Sequence, residues 1–118
     1  MNLAVVADEG DLVRVRVTGE VNQKEINKLS EPISSLLGGD AYQRSVLLDM
    51  SEVQMIDSAG VGWLLNCNKQ FKDDNGKLVL HSLSLLARNV FKVLNMHLVF
   101  NISADENEAV HAIRDKAS

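Results

Sequence analysis

The chain holds little of what staples a fold or anchors it to a membrane. Cys67 is its one cysteine, so no internal disulfide can form. Set among apolar residues in a helical pattern, it reads as a buried thiol. One tryptophan, one tyrosine and three phenylalanines make up an aromatic content of 4%, so the core must be mainly leucine, valine and isoleucine. No apolar run approaches the ~18 residues of a membrane span. Met1-Asn2-Leu3-Ala4 does not lead from a basic stretch into a long apolar one, so no signal peptide is expected. Positive charge is scarce as well. The formal net charge is −4 and the isoelectric point about 5.3, where nucleic-acid binders carry a basic patch or a basic domain. Arg14 and Arg16 alternate along a strand pattern and read as a solvated face. The expectation is a cytoplasmic protein with neither nucleic acid nor membrane as partner.

Catalytic signatures are missing too. There is no glycine-rich phosphate loop ending in Lys-Ser or Lys-Thr. Gly60-Val61-Gly62 is a fragment of a dinucleotide fingerprint whose third glycine is absent. Around Ser58 the hydrolase elbow Gly-x-Ser-x-Gly lacks its first glycine, because Ile56 stands there. His81, His97 and His111 sit in no recognisable catalytic context, and no cysteines or histidines have metal-ligand spacing. No enzyme, no cofactor and no metal are expected.

What is present is enough for one domain over residues 1–118: 46% hydrophobic and 24% charged residues. Leu3 to Ala7, the turn Glu9-Gly10-Asp11 and the alternation of Val13, Val15 and Val17 read as a β-hairpin. Asn22 and Glu25 stand as a capping pair before a helical face of Ile26, Leu29, Ile33, Leu36 and Leu37. Pro32 should kink or interrupt that helix, and Gly38-Gly39 should end it. Val46-Leu47-Leu48 suits a central strand buried on both faces, followed by a loop from Met50 to Asp57. A helix is expected from Ser58 to about Asp74, and a strand at Leu78-Val79-Leu80. The next helix is capped by Ser82 or Ser84 and faces inward with Leu83, Leu86, Val90, Phe91 and Leu94. Leu98-Val99-Phe100 reads as the last strand. Ser103 and Glu106 read as the capping pair of a final helix carrying Ala109, Val110 and Ile113. The order β-β-α-β-α-β-α-β-α predicts an α/β fold: an antiparallel hairpin, then parallel strands in one mixed sheet, with helices mainly on one face.

The informative segment is Asp57-Ser58-Ala59-Gly60-Val61-Gly62-Trp63-Leu64-Leu65. It puts a hydroxyl where a loop becomes a helix. One reading makes Ser58 the helix N-cap. Two glycines in a first turn cost about 1 kcal/mol each relative to alanine, which close approach of another backbone or of a partner would justify. At 100° per residue, Gly60, Leu64, Cys67 and Phe71 form a core stripe. Adding Trp63, Val61 and Leu65 widens the apolar arc to about 200°, where a surface helix needs ~100°. Either neighbouring elements bury that excess, or it docks a partner.

This segment resembles the STAS-domain proteins, specifically the bacterial anti-sigma factor antagonists, whose loop reads Asp-Ser-[Ser/Ala]-Gly-[apolar]-Gly. Further matches are Thr18-Gly19-Glu20-Val21, Asn75-Gly76-Lys77-Leu78-Val79-Leu80 and Phe91-Lys92-Val93-Leu94-Asn95-Met96, so the likeness runs from about Leu12 to Ile113. The resemblance implies a STAS-like fold in which Ser58 is phosphorylated by a partner that is both anti-sigma factor and serine kinase. Unphosphorylated, the antagonist sequesters that partner and frees the sigma factor; a serine phosphatase reverses the mark. The kinase would carry the ATP site, so the antagonist needs no cofactor. Partner-binding positions are then Asp57, Ala59, Gly60, Val61, Gly62, Trp63, Leu65 and Asn22. The chain departs from the family at Asn22, where an aspartate is frequent, and at Ala59, which removes a second loop serine. An alternative is a STAS binding module of another assembly, such as a lipid-transport subunit or a stand-alone ligand-binding domain, without phosphorylation.

Overall fold

A computed structural model describes residues 1–29 and 32–117, with the backbone alone at 32–33 and 115–117. Five strands form one sheet: β1 Asn2–Asp8, β2 Leu12–Val21, β3 Ser45–Ile56, β4 Lys77–His81 and β5 Asn101–Ser103. They lie side by side in chain order. β1 and β2 are an antiparallel hairpin, and every later pairing is parallel. The helices are α1 Gln23–Asn27, α2 Pro32–Leu37, α3 Ser58–Asp73, α4 Leu85–Val93 and α5 Glu106–Ala117, with short 3-10 turns at Ala41–Gln43 and Met96–Leu98.

The sheet's two faces are covered unequally. Val13, Val15 and Val17 of β2 with Val46, Leu48 and Met50 of β3 point into the main core, where α3 contributes Leu64, Cys67 and Phe71 and α4 contributes Ala87 and Phe91. Among the described residues the opposite face is covered by α5 alone, over the small cluster of Leu12, Leu47, Val79 and Ala109. Val46-Leu47-Leu48 is thus buried on both sides at the centre of the sheet, as its unbroken apolar run predicts. Arg14 is half-buried against α5, its guanidinium donating to Glu106 at 2.7 Å, while Arg16 is exposed, as a solvated face predicts, and donates to Asp49 of β3 at 3.2 Å.

Several elements differ from the sequence reading. Met50–Ile56 is not a loop but the second half of β3, paired with the equally extended end of β2 from Thr18 to Val21. Irregularities between Arg16 and Thr18 and between Gly19 and Glu20 break the alternation, so Met50, Val53 and Ile56 are buried at a spacing of three. Gly19 takes φ +89, a conformation that favours glycine. Pro32 interrupts the first helical pattern outright and opens α2, a position where its missing N–H costs nothing. Leu37 reaches the core, Leu36 is exposed, and Ile33 falls outside the described side chains. Ser84, not Ser82, caps α4. Leu86 and Leu94 of the expected inner face turn out to be exposed, while Phe91 points inward as expected and Ala87 joins it. Leu98-Val99-Phe100 is not a strand. Asn95 turns the chain with φ 57, a 3-10 turn follows, and Phe100 drops inward to stack on Phe91 at 5.5 Å. The last strand therefore starts three residues later, and Ser103 ends it. Asp105 caps α5 instead, accepting the Glu108 N–H at 2.8 Å.

His81, 3% exposed at the end of β4, lies on the α5 side. Burial pulls its imidazole below the ordinary value, against an opposing pull from Asp49, Glu106 and Asp105, while Arg14 adds to the lowering. The fold thus favours neutral His81 more than the unfolded chain does. The stability it contributes is present in full above the unfolded value of about 6.5, and is lost as pH falls through the lowered folded value. Thermal melts at about pH 7.5 and about pH 5.5 should show the wild type losing more stability over that interval than His81→Gln.

Candidate functional site

The end of β2 meets the start of α3 in a contact that sets the site. The Asp57 N–H donates to the Val21 carbonyl at 3.3 Å. The same carbonyl lies 2.4 Å from where a Cβ on Gly60 would stand, with Ile56 at 2.8 Å. Gly60 is therefore required for the helix to start here. Gly62 has open space around the corresponding position, so no internal contact explains it.

The N-cap is Asp57, not Ser58. Asp57 is extended, with φ −108, and its Oδ1 accepts the Gly60 N–H at 2.9 Å. Its carbonyl accepts the Val61 N–H at 3.0 Å. Relieved of that task, Ser58 occupies the first helical position with its side chain exposed. Among the described residues nothing hydrogen-bonds its hydroxyl. Ser58 also stands on the wall of an apolar groove of about 400 Å³, lined by Ile56 and Asp57 on one side and by Asn89, Val90 and Val93 of α4 with Leu94 at its end on the other. No histidine lines this groove, so Ser58 has no base beside it.

The other expected site residues divide. Val61 is 3% exposed and packs in the main core, as does buried Gly60, so neither presents a surface. Trp63 and Leu65 are half-buried against that core, which absorbs much of the wide apolar arc. Ala59 and Gly62 are half-buried. Asn22 follows Val21 directly and so flanks the junction. Its Oδ1 accepts the Glu25 N–H at 2.9 Å, capping α1. Glu25 does not complete the reciprocal box; its carboxylate pairs with the Met1 ammonium and Lys28, which hold the carboxyl down at about 2. Cys67 lies on the buried face of α3, its thiol pushed up to about 12 by burial and so held protonated and inert. The α4 wall of the groove was not legible as site. Its signal is present in the sequence as apolar residues on more of α4 than the core accepts, with Val93 79% exposed.

Two comparisons test this account. Gly60→Ala should cost roughly 2 kcal/mol through backbone overlap, whereas Gly62→Ala should be neutral or stabilising by about 0.5–1 kcal/mol. Asp57→Ala should cost about 1 kcal/mol as a lost cap, and Ser58→Ala should stay within about 0.5 kcal/mol of wild type. Urea denaturation of the four variants measures all of these.

The family model described as Mlab, STAS domain, matches residues 4–100. BtrV of Bordetella bronchiseptica, named as a candidate anti-sigma factor antagonist, is 27% identical over 114 residues, spanning 97% of this chain and 96% of its own. Among solved structures, a candidate antagonist from Thermotoga maritima superposes with a TM-score of 0.79 at 21% identity, covering 96% of this chain and 93% of its own. The unphosphorylated anti-sigma factor antagonist SpoIIAA superposes at 0.71 and 19% identity, covering 97% of each chain. A phosphorylated form of this Bacillus protein also superposes, at 0.66 and 20% identity, covering 95% of this chain and 99% of its own. With the five-stranded mixed sheet, the loop at Asp57–Gly62 and a family match over most of its length, this chain belongs to the STAS domain family.

Proposed function

We propose that this protein is an anti-sigma factor antagonist whose binding to an anti-sigma factor is switched off by phosphorylation of Ser58. The observation that carries the reading is an exposed, unbonded serine on the first turn of α3, at the wall of an apolar groove. It stands in a domain similar along nearly its whole length to proteins named as antagonists.

In its unphosphorylated form the groove offers Val90, Val93 and Leu94 to an apolar part of the partner, with Ser58 inside the covered area. A phosphate on Ser58 adds ~−1.5 to −2 charges there. Docking would then bury those charges beside the Asp57 carboxylate, so the partner is released. The domain itself tolerates the group, because the free N–H groups of the first turn and the helix dipole favour an anion. The cap on Asp57 is untouched by the modification. The ATP site belongs to the partner in this scheme, a serine kinase as well as an anti-sigma factor, and a serine phosphatase restores the active form in the cytoplasm. The antagonist itself binds and is modified; it catalyses nothing. A second reading is a STAS binding module of another assembly, independent of phosphorylation. The matching family model is described by the STAS domain and names no anti-sigma role, which fits this reading equally.

The test is titration of the cognate ATP-binding anti-sigma factor with wild type, Ser58→Ala and Ser58→Asp, beside mass spectrometry after incubation with ATP. Phosphate should appear on Ser58 alone. Ser58→Ala should bind like wild type without ATP and stay bound with it. Ser58→Asp should bind more weakly by several kcal/mol, roughly a hundredfold or more. Phosphate on another residue, or equal binding of Ser58→Asp and Ser58→Ala, refutes the switch. A partner that binds all three forms alike, with no phosphate transfer, supports the second reading.

A further inference from the structure

β5 is the outermost strand on the side away from the hairpin. Among the described residues its outer edge makes no backbone hydrogen bond. A cleft opens beside it on each face of the sheet. On the α5 face a cleft of about 550 Å³ runs between Asn101 and Ser103 of β5 and Ala112 and Ile113 of α5. On the α4 face a cleft of about 340 Å³ lies between Ile102, Leu83 and Arg88. Register agrees: Asn101 and Ser103 stand beside Val79 and His81, and Ile102 stands beside Leu80 on the main-core side.

Charge is segregated around this edge. From 82 to 104 the chain has no aspartate or glutamate, in a protein with 16 of them. Lys77 and His97 line the first cleft, Arg88 lines the second, and Lys92 lies one turn along from Arg88. Among the described residues none of these four pairs with a carboxylate. Glu108, on the α5 wall, is the one acid lining either cleft.

We propose that β5 accepts an extended, acidic segment of a partner protein as a sixth strand. A row of unpaired backbone donors and acceptors is matched along its length by another extended backbone. Alternate side chains of such a strand point to opposite faces, and here each face has a cleft to receive them. The cations on both sides select acidic groups in the segment. A second copy of this chain fits poorly, because joining two β5 edges would set Lys77, Arg88 and Lys92 against their own like charges. A flat bilayer would not fill clefts on two faces of a sheet. Ser58 lines neither cleft, so this surface stands independently of the proposed switch.

The probe is a short end-blocked peptide of alternating valine and glutamate, titrated into the full chain and followed by amide NMR. Saturable shifts at Asn101–Ser103 and Arg88 are expected. Affinity should fall roughly tenfold or more for the valine–lysine counterpart and for the double variant Lys77→Glu, Arg88→Glu, and should weaken with added salt. Shifts elsewhere only, no shifts at saturating peptide, or equal binding of the lysine peptide overturn the proposal. So does a dimer in sedimentation that is dispersed by Ile102→Lys, which would make the occupant a second copy. Binding to phosphatidylglycerol vesicles that requires Arg88, with no peptide binding, would assign the surface to lipid instead.

Discussion

The carbonyl of Val21 is the fixed point of this molecule. It receives the Asp57 N–H and leaves no room for a side chain at position 60. Where β2 ends therefore decides where α3 begins, and that decides the direction in which Ser58 leaves the surface. With the capping role given to Asp57, the Ser58 hydroxyl is left without internal duties. A group that stabilises nothing can be modified without disturbing the fold, and one on the wall of an apolar groove cannot be modified without disturbing whatever covers that groove.

Around this point the two sheet faces do different work. The main core, with Phe71, Leu48 of β3 and Leu78 and Leu80 of β4, is deep and almost wholly apolar. The other face joins a small apolar cluster to a belt of Arg14, Arg16, Asp49, His81 and Glu106. The site belongs to the first face, so it rests on the larger of the two apolar clusters. α4 lies along the half of β3 that β4 does not reach, with the Ser84 N–H donating to the Met50 carbonyl at 3.2 Å. It shields that stretch of strand and forms the groove's second wall at once.

Much of this was legible from residue pattern. The unbroken Val46-Leu47-Leu48 run marked the centre of the sheet, and the alternating valines marked β2. Asp57-Ser58 with two glycines marked the candidate site. What escaped has physical causes. β3 continued past Met50 because pairing with β2 carried it, and the irregular register hid its period. Leu98 and Val99 looked like strand because hydrophobicity does not distinguish an exposed turn from a buried ladder; φ 57 at Asn95 made the difference. Ser58 reads as a cap in the sequence because serine and aspartate are both good caps, and side by side only geometry separates them. The groove could not be read at all, since its walls come from segments some thirty residues apart that only the fold brings together.

Strand order follows chain order across the whole sheet, from β1 to β5. No strand has to be threaded between two neighbours already in place. As the chain leaves the ribosome, each strand can be laid against the one before it, with the connecting helix closing over the seam. A sheet in this order can grow by accretion from one side, without reopening to admit a latecomer.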